Sequence, residues 1–200
     1  MKKIIACALM VASTLALGAA PLWADEISQQ LERGLKLYKD GKVNEALAEV
    51  EFAAAQMRQK KAEGFAVIFP EAPAGWKADK PESQSMGQAM FGGVISASRA
   101  YHKGEAQVRV EIMSDSPLIQ SLAVVLNNPM MMQGQGLKLA RVGDQKALVQ
   151  QQEDDQAELQ MLVDSKVLVR VEASQTPKAG EVVKDFAAKV NLAKLRELTK

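Results

Sequence analysis

The sequence predicts an α+β fold, in which an N-terminal helical hairpin precedes an antiparallel sheet that is covered by helices. Between Ile27 and Met57, apolar residues recur at steps of three and four, which is the spacing of one helical face. Between Val94 and Ala173, several short segments instead alternate apolar and polar residues, as half-buried strands do. Helical patterns between and after the strands supply a cover for the sheet.

The chain opens with a segment typical of a secretory signal peptide. Lys2 and Lys3 precede an apolar run, and the small residue Ala24 precedes the polar Asp25. We therefore predict cleavage after Ala24 and a periplasmic location, with membrane contact only through the uncleaved signal segment. An uncleaved anchor is an alternative, although the run is shorter than the roughly 20 residues that span a bilayer. Lipid modification of Cys7 is another, although only three apolar residues directly precede it.

Charge and cysteine content exclude several classes of function. Cleavage after Ala24 removes two of the 25 basic residues and none of the 24 acidic ones, so the mature chain has a formal net charge of −1. Such a balance gives no basic surface for nucleic acid. Because Cys7 is the only cysteine, the mature protein would have no thiol for a disulfide, a thiolate nucleophile, a zinc–thiolate site or haem attachment.

Three segments are predicted: a signal peptide at residues 1–24, a helical hairpin at 25–64 and an α+β domain at 65–200. In the hairpin, Asp40-Gly41 interrupts the helical pattern. The first predicted apolar face is formed by Ile27, Leu31, Leu35 and Tyr38, and the second by Val43, Ala46, Leu47, Val50, Ala53, Ala54 and Met57. We expect these two faces to pack against each other as antiparallel helices.

The hairpin carries residues at the spacing of the tetratricopeptide signature. They are Gly34, Leu37, Tyr38, Gly41, Glu45, Ala46, Leu47 and Ala53. Residues 28–60 therefore resemble one tetratricopeptide repeat, with Lys42 where a helix-capping aspartate is usual. The resemblance implies partner binding, because arrays of such repeats line a peptide-binding groove. The alternative is a hairpin that packs on its own neighbouring domain, since such arrays need at least three units and the sequence shows one.

The α+β domain begins with a segment, residues 65–69, that fits either a helix or a strand. Prolines in residues 70–76 exclude a regular helix there. A β-hairpin is predicted from Val94–Tyr101 and Gln107–Met113 around Lys103-Gly104. Four further strands are predicted at Leu137–Val142, Lys146–Gln151, Glu158–Val163 and Val167–Ala173, forming a meander with one buried face.

Two helices complete the predicted domain. One begins at Ser116-Pro117 and runs to Asn127, with proline in its first turn. The other is a terminal helix whose apolar face is formed by Val182, Val183, Phe186 and Val190. From Gly64-Phe65 and Gly75-Trp76 onward, this order of elements resembles the photosystem II PsbP and Mog1 fold family over residues 65–192. The resemblance implies a noncatalytic accessory or binding domain and carries over no site residues.

No catalytic residue is assigned from the sequence. His102 is the only histidine and follows a predicted strand near a turn, where a surface histidine without a catalytic role is the simpler interpretation. A hydrolase that uses His102 is the weaker alternative, since no Gly-x-Ser-x-Gly elbow accompanies it. No complete dinucleotide loop or phosphate-binding loop occurs either, and Glu153-Asp154-Asp155 is interpreted as a solvated turn rather than a calcium loop.

Methionines form the most distinctive pattern. Thioether sulfurs suit copper(I), and an exported protein is a reasonable place for it. The candidate copper ligands are Met86, Met90, His102, Met130, Met131 and Met132. The alternative is that these methionines fill gaps in packing or form an adaptable apolar surface. The candidate partner surface, flanked by glycines and Asn127-Asn128-Pro129, is Met90, Phe91, Met130, Met131 and Met132.

Taken together, the sequence predicts a periplasmic binding or accessory protein that performs no catalysis and needs no cofactor. Its partner would be an unknown protein or a small apolar ligand, reached through apolar side chains. The copper-handling protein is the competing hypothesis, and copper is its cofactor.

Overall fold

The computed structural model describes residues 22–85, 94–128 and 136–199. Within these ranges the fold is α+β, with five α-helices and an eight-stranded antiparallel sheet. The helices are α1 (Leu22–Lys39), α2 (Val43–Gly64), α3 (Pro117–Asn127), α4 (Ala179–Ala188) and α5 (Leu192–Leu198). The strands are β1 (Lys77–Ala78), β2 (Glu82–Ser85), β3 (Ile95–Lys103), β4 (Ala106–Ser114), β5 (Leu137–Val142), β6 (Gln145–Glu153), β7 (Gln156–Val163) and β8 (Val167–Ser174). The predicted α+β class is confirmed.

The chain divides into two compact units, Met1–Val50 and Glu51–Lys200. This division falls inside α2, whereas the sequence places a boundary after Gly64. None of the helices in the described ranges is both long enough and apolar enough to cross a membrane. The predicted signal peptide lies almost wholly outside the described residues.

In the first unit, α1 ends in a tight turn before α2 begins. Gly41 adopts a positive φ of 76°, and the Lys42 amide donates to the carbonyl of Leu37 at 3.0 Å. This is the Schellman pattern that ends helices at glycine. Lys42 then precedes the first turn of α2 and its carbonyl accepts from the Ala46 amide. The predicted helical hairpin is therefore present, with its turn at Asp40-Gly41.

In the second unit, the strands lie in the order β1-β3-β4-β8-β7-β6-β5, and β2 also pairs with β3. The predicted hairpin and the predicted four-strand meander are both present. Strands β1 and β2 were not predicted, because two and four residues are too few to show an alternating pattern. The segment 65–69, whose sequence fits either a helix or a strand, forms a 3₁₀ helix at Phe65–Ile68, and both end residues of this helix are buried.

The main core lies on one face of the sheet, where α4 packs against β7 and β8. Phe186 of α4 is buried there and meets Trp76 and Tyr101 edge-on, at centroid distances of 5.2 and 4.9 Å. Such edge-to-face pairs add to the stabilisation from burial alone. The strand residues that fill this core include Val108, Val110, Ile112, Leu159, Met161, Val163, Val167, Val169 and Val171.

A smaller apolar cluster lies on the opposite face, so the prediction of one buried face is wrong. Helix α3 covers this cluster, which consists of Met113, Ile119, Leu122, Leu126, Leu148 and Leu168. The first turn of α3 is capped by Ser116, whose Oγ accepts from the Leu118 amide at 3.3 Å. Among the described elements, α3 contacts this face mainly at β6, β7 and β8.

The predicted terminal helix is divided in two. Helix α4 ends at Ala188, and Val190 lies beyond it, in the turn before α5. The Asn191 side chain caps α5 by accepting from the Lys194 amide at 3.0 Å. Placing Val190 within a single helix was therefore wrong, because a local cap starts a new helix directly after it.

Candidate functional site

Most of the predicted site residues lie outside the described residues. These are Met86, Met90, Phe91, Met130, Met131 and Met132. The structure describes His102 alone among the candidate copper ligands. The copper site and the methionine partner surface therefore stay predictions.

His102 lies near the end of β3 and is held by an acidic side chain. Its Nε2 is 2.9 Å from Asp79 Oδ2, and both side chains are exposed. In the sheet, His102 is opposite Gln107, and Gln107 is opposite Ser174. Ser174 is thus two strands away, or about 9.6 Å at the usual strand spacing. Within the described residues no hydrogen bond joins Ser174 to His102, whose Nε2 contacts Asp79, so the two do not form a nucleophile–base pair.

Within the described ranges, no group of three or more His, Cys, Asp or Glu side chains is placed to hold a metal ion. Met113 and Met161 are buried in the two apolar clusters, on opposite faces of the sheet. These two methionines contribute to packing, as flexible apolar side chains commonly do.

The open half of the sheet forms the first candidate surface, a polar groove beside the end of β3. It encloses about 330 Å³ and is lined by side chains that include Arg109, Glu158 and Glu172. Glu172 on β8 lies between the other two, opposite Arg109 on β4 and opposite Glu158 on β7. Side chains on one face of neighbouring strands are close enough to interact, so the groove floor is a ladder of charges.

The next row of the ladder centres on Arg170. Its Nε donates to Glu158 Oε1 at 2.8 Å, and its guanidinium also forms an ion pair with Glu172. Glu111, directly opposite Arg170 on β4, lies at 3.9 Å. The Arg170 guanidinium therefore contacts three carboxylates. Arg109 extends the network by donating to Ser98 Oγ at 2.9 Å.

The pKa shifts show how this network is balanced. Burial raises the pKa of Glu111, and the nearby positive charges of Arg170 and Arg109 only partly oppose that effect. For Arg170, burial disfavours the charged form, but the hydrogen bond to Glu158 and the neighbouring carboxylates outweigh it and raise the pKa. These charged side chains are thus paired chiefly with one another, so a charged ligand would have to compete with the existing ion pairs.

A wider depression of about 830 Å³ lies beside the start of α3. Asp115, at its edge, has a positive φ of 59°. Its carboxylate accepts from Ser114 Oγ at 3.0 Å and pairs with Lys61 Nζ at 3.2 Å. These contacts account for the conformation of Asp115 locally, because a side-chain hydrogen bond can stabilise a left-handed residue.

The hairpin unit contains the second candidate surface. The residues at which its two helices meet determine which side chains form that surface. The helices approach through small residues: Gly34 and Ala46 are both buried. A Cβ placed on Gly34 would lie 3.0 Å from Val50 Cγ2 and 3.4 Å from the Ala46 carbonyl oxygen. Beside this contact, Gln30 donates to Glu49 across the helices at 2.6 Å. The interface is therefore close but holds few large apolar side chains.

Most large apolar side chains of the hairpin lie to one side of this contact, although Val50 also borders Gly34. Leu35 is 54% exposed, Tyr38 64% and Leu47 56%. Six of the exposed side chains, called the apolar face below, are Leu31, Leu35 and Tyr38 from α1 and Val43, Leu47 and Val50 from α2. Phe52 and Met57, farther along α2, are exposed as well. The prediction that these stripes pack directly against each other is wrong for the largest members, because the close approach at Gly34 and Ala46 leaves them to one side.

The two stripes lie on the same side of the hairpin. On each helix, one leucine of the stripe follows an interface residue by one position: Leu35 follows Gly34, and Leu47 follows Ala46. One position is about 100° around a helix, and the rotation has opposite senses on antiparallel helices viewed from one end. Both stripes therefore turn toward the same face. The opposite face carries the exposed polar residues Gln29, Arg33, Lys36 and Glu45.

The apolar face is the feature that sequence reasoning missed. The small residues Gly34 and Ala46 indicate where the two helices meet. The larger residues next to them in the sequence, Leu35 and Leu47, therefore lie away from that contact. An exposed, continuous apolar face rimmed by polar residues is typical of a surface that binds another protein. No family model, curated protein or solved structure matches this chain.

Proposed function

We propose that this is an exported, noncatalytic accessory protein that works by binding another polypeptide through the apolar face of its hairpin. One observation carries the proposal: six large apolar side chains are exposed together on one side, while a glycine and an alanine occupy the contact between the helices. A helical hairpin evolved only to fold would place its large apolar residues inside.

Covering the apolar face with a partner would be favourable in free energy. Fully burying one leucine contributes about 1.5 to 3 kcal/mol, and that contribution is largely lost while Leu35 and Leu47 face water. A partner that covers this face would recover it. Amphipathic helices that present apolar positions three and four residues apart are a common recognition surface.

The resemblances stated from the sequence agree with this proposal. A tetratricopeptide-like hairpin implies partner binding, and a domain similar to the PsbP and Mog1 family implies an accessory role. The signal-like N-terminus supports export, and so a partner in the periplasm. The polar groove of the second unit has less support as a binding site, since its charged side chains already form ion pairs with one another.

The two alternatives have less support. A copper-handling function depends on methionines outside the described residues and on His102, whose Nε2 already contacts Asp79. A hydrolase based on His102 would need a nucleophile, and Ser174 lies two strands away in the groove that it shares with His102.

The proposal is tested by the size of the protein in extracts of its own periplasm. We expect native electrophoresis with immunodetection to show an assembly larger than a single mature chain. The double variant Leu35→Glu, Leu47→Glu should release the protein from that assembly. The matched control is Val124→Glu, which changes an apolar residue of α3 that is 58% exposed. Finding only the monomer in the parent extract would refute the proposal.

A further inference from the structure

We propose that the polypeptide bound by the apolar face is a second copy of this chain, with α1 packed antiparallel against the partner's α1 about a two-fold axis near Leu35. This inference rests on the proposed function, because it names the partner of the same surface. Its support comes from the arrangement of apolar and charged side chains along α1.

The apolar seam of α1 is symmetric about its centre. Leu31, Leu35 and Tyr38 are separated by steps of four and three and are all exposed. If Leu35 faces its own copy in an antiparallel pair, Leu31 of each helix comes beside Tyr38 of the other. Steps of four and three are also the spacing at which helices pack with side chains interlocked. One seam therefore fits its own copy.

Charges on the rim of the seam select the antiparallel direction. Glu32 and Lys39 each follow a seam residue by one position and are exposed. Around a two-fold axis near Leu35, Glu32 of each copy faces Lys39 of the other, giving two ion pairs of opposite sign. A parallel pair would instead place these residues of the two copies on opposite sides of the seam, where they form no such pairs. Such flanking charges set orientation and partner choice in helix pairs.

The second helix extends the same surface. Val43, Leu47 and Val50 lie on the side of the hairpin that carries the seam. Two hairpins facing each other would cover both stripes and form a four-helix arrangement. The contact would be isologous, with the same patch contributed by each copy, as in most homodimers.

The first measurement is the mass of the protein in solution, after secretion with its own leader. We expect light scattering coupled to gel filtration to give twice the mass of one chain, and Leu35→Glu to give one chain. Val124→Glu should remain a dimer. A monomeric parent protein at all concentrations into the high micromolar range would overturn the inference, as would a dimer unaffected by Leu35→Glu.

A charge exchange tests the orientation without disturbing the fold. Glu32→Lys should weaken dimerisation by about tenfold, since two attractive but exposed contacts become repulsive. The double variant Glu32→Lys, Lys39→Glu should restore the parent affinity. If the double variant dimerises no better than the single one, the antiparallel arrangement is wrong. Both positions are exposed, so circular dichroism should show unchanged folding.

Proximity to the axis is tested by crosslinking. In a Cys7→Ser background, Leu35→Cys would carry the only thiol of the chain. We expect mild oxidation to give a covalent dimer, because facing helices bring residues at the axis within disulfide reach. Val124→Cys, the control, should stay monomeric on denaturing gels. Equal crosslinking of the two variants would contradict the proposed axis.

These results separate the inference from the proposed function. If the purified protein is monomeric while the double variant Leu35→Glu, Leu47→Glu still abolishes a larger assembly in the extract, then the partner is a different protein. In that case only this inference is overturned. If neither a dimer nor a larger assembly is found, both proposals are overturned.

Discussion

Gly34 and Ala46 face each other across the helical hairpin, so closely that a Cβ on Gly34 would lie 3.4 Å from the Ala46 carbonyl oxygen. This contact sets the distance between α1 and α2. It also determines which side chains lie outside, because Leu35 and Leu47 each follow a contact residue by one position.

The first prediction concerns this contact. Ala46→Arg should lower the free energy of unfolding of the hairpin by about 2 to 4 kcal/mol, because Ala46 is buried and the long charged side chain has no room there. Ala48→Arg is the control, since Ala48 is exposed on the same helix. Thermal unfolding followed by circular dichroism measures both. Equal stability of the two variants would show that Ala46 is not at a close contact.

The second prediction concerns export. We expect the protein purified from its native cells to begin at Asp25 and to be in the periplasmic fraction, because the first residues have the pattern of a cleaved signal peptide. Intact-mass measurement decides the start of the chain. A retained Met1 in the membrane fraction would favour an anchor, and a lipid on Cys7 would favour a lipoprotein.

The strands and helices of the second unit could be predicted from the sequence because their patterns are long. Val167, Val169 and Val171 alternate with Leu168 and Arg170, which predicts a strand with two different sides. The same alternation placed Leu168 on the second side, where α3 covers it. What periodicity could not give was which part of that side α3 would cover, since that depends on contacts between distant residues.

The candidate surface was harder to predict for a related reason. Helical spacing correctly placed Leu35 and Tyr38 on one stripe, but spacing alone does not tell whether a stripe faces a neighbouring helix or solvent. That outcome depends on where the helices come closest, which Gly34 and Ala46 decide. The Asp79–His102 pair could not be foreseen either, because β1 ends just before Asp79 and is only two residues long.

The third prediction separates two carboxylates that contact Arg170. Glu158→Gln should lower the free energy of unfolding by about 1 to 3 kcal/mol, because it removes the charge from a 2.8 Å hydrogen bond to the guanidinium. Glu111→Gln should instead raise stability at neutral pH, because burial raises the pKa of Glu111 and so disfavours its charged form in the folded state.

The pH dependence checks the assignment for Glu111. A carboxyl whose pKa is higher in the folded than in the unfolded state stabilises the fold in acid, and that contribution is lost as pH rises through the folded value. The advantage of Glu111→Gln over the parent should therefore disappear below the ordinary pKa of glutamate. Denaturant titrations at neutral and acidic pH measure it. A lower stability of Glu111→Gln at neutral pH would show that the ion pair with Arg170 outweighs burial.

The fourth prediction addresses the copper hypothesis. We expect copper(I), titrated against a competing chelator, to bind the parent protein no better than a variant with Met86→Leu, Met90→Leu and Met130→Leu, because leucine preserves apolar volume and removes only the sulfur. His102→Gln provides a second comparison. Stoichiometric binding by the parent alone would contradict the assignment of these methionines to packing or to a partner surface.

The fifth prediction concerns Tyr101, which is fully buried and donates its hydroxyl hydrogen to the carbonyl of Pro70 at 2.8 Å. Burial raises the pKa of Tyr101 from 10.0 to about 12, although Arg99 opposes the shift. Between these values the unfolded chain loses the phenolic proton and the folded chain keeps it. Stability is thus complete below the unfolded pKa and is lost as pH rises toward 12, by about 2 to 3 kcal/mol for this group.

Two variants make this measurable. In a Tyr38→Phe background, Tyr101 is the only tyrosine, so tyrosinate absorbance should follow a single ionisation near the raised pKa or at the onset of unfolding. Tyr101→Phe lacks the ionising group, so its free energy of unfolding should fall less than that of the parent over the same alkaline range. An ionisation at the ordinary tyrosine pKa in the folded protein would show that the Tyr101 hydroxyl reaches water, and that its contact with Pro70 is not maintained.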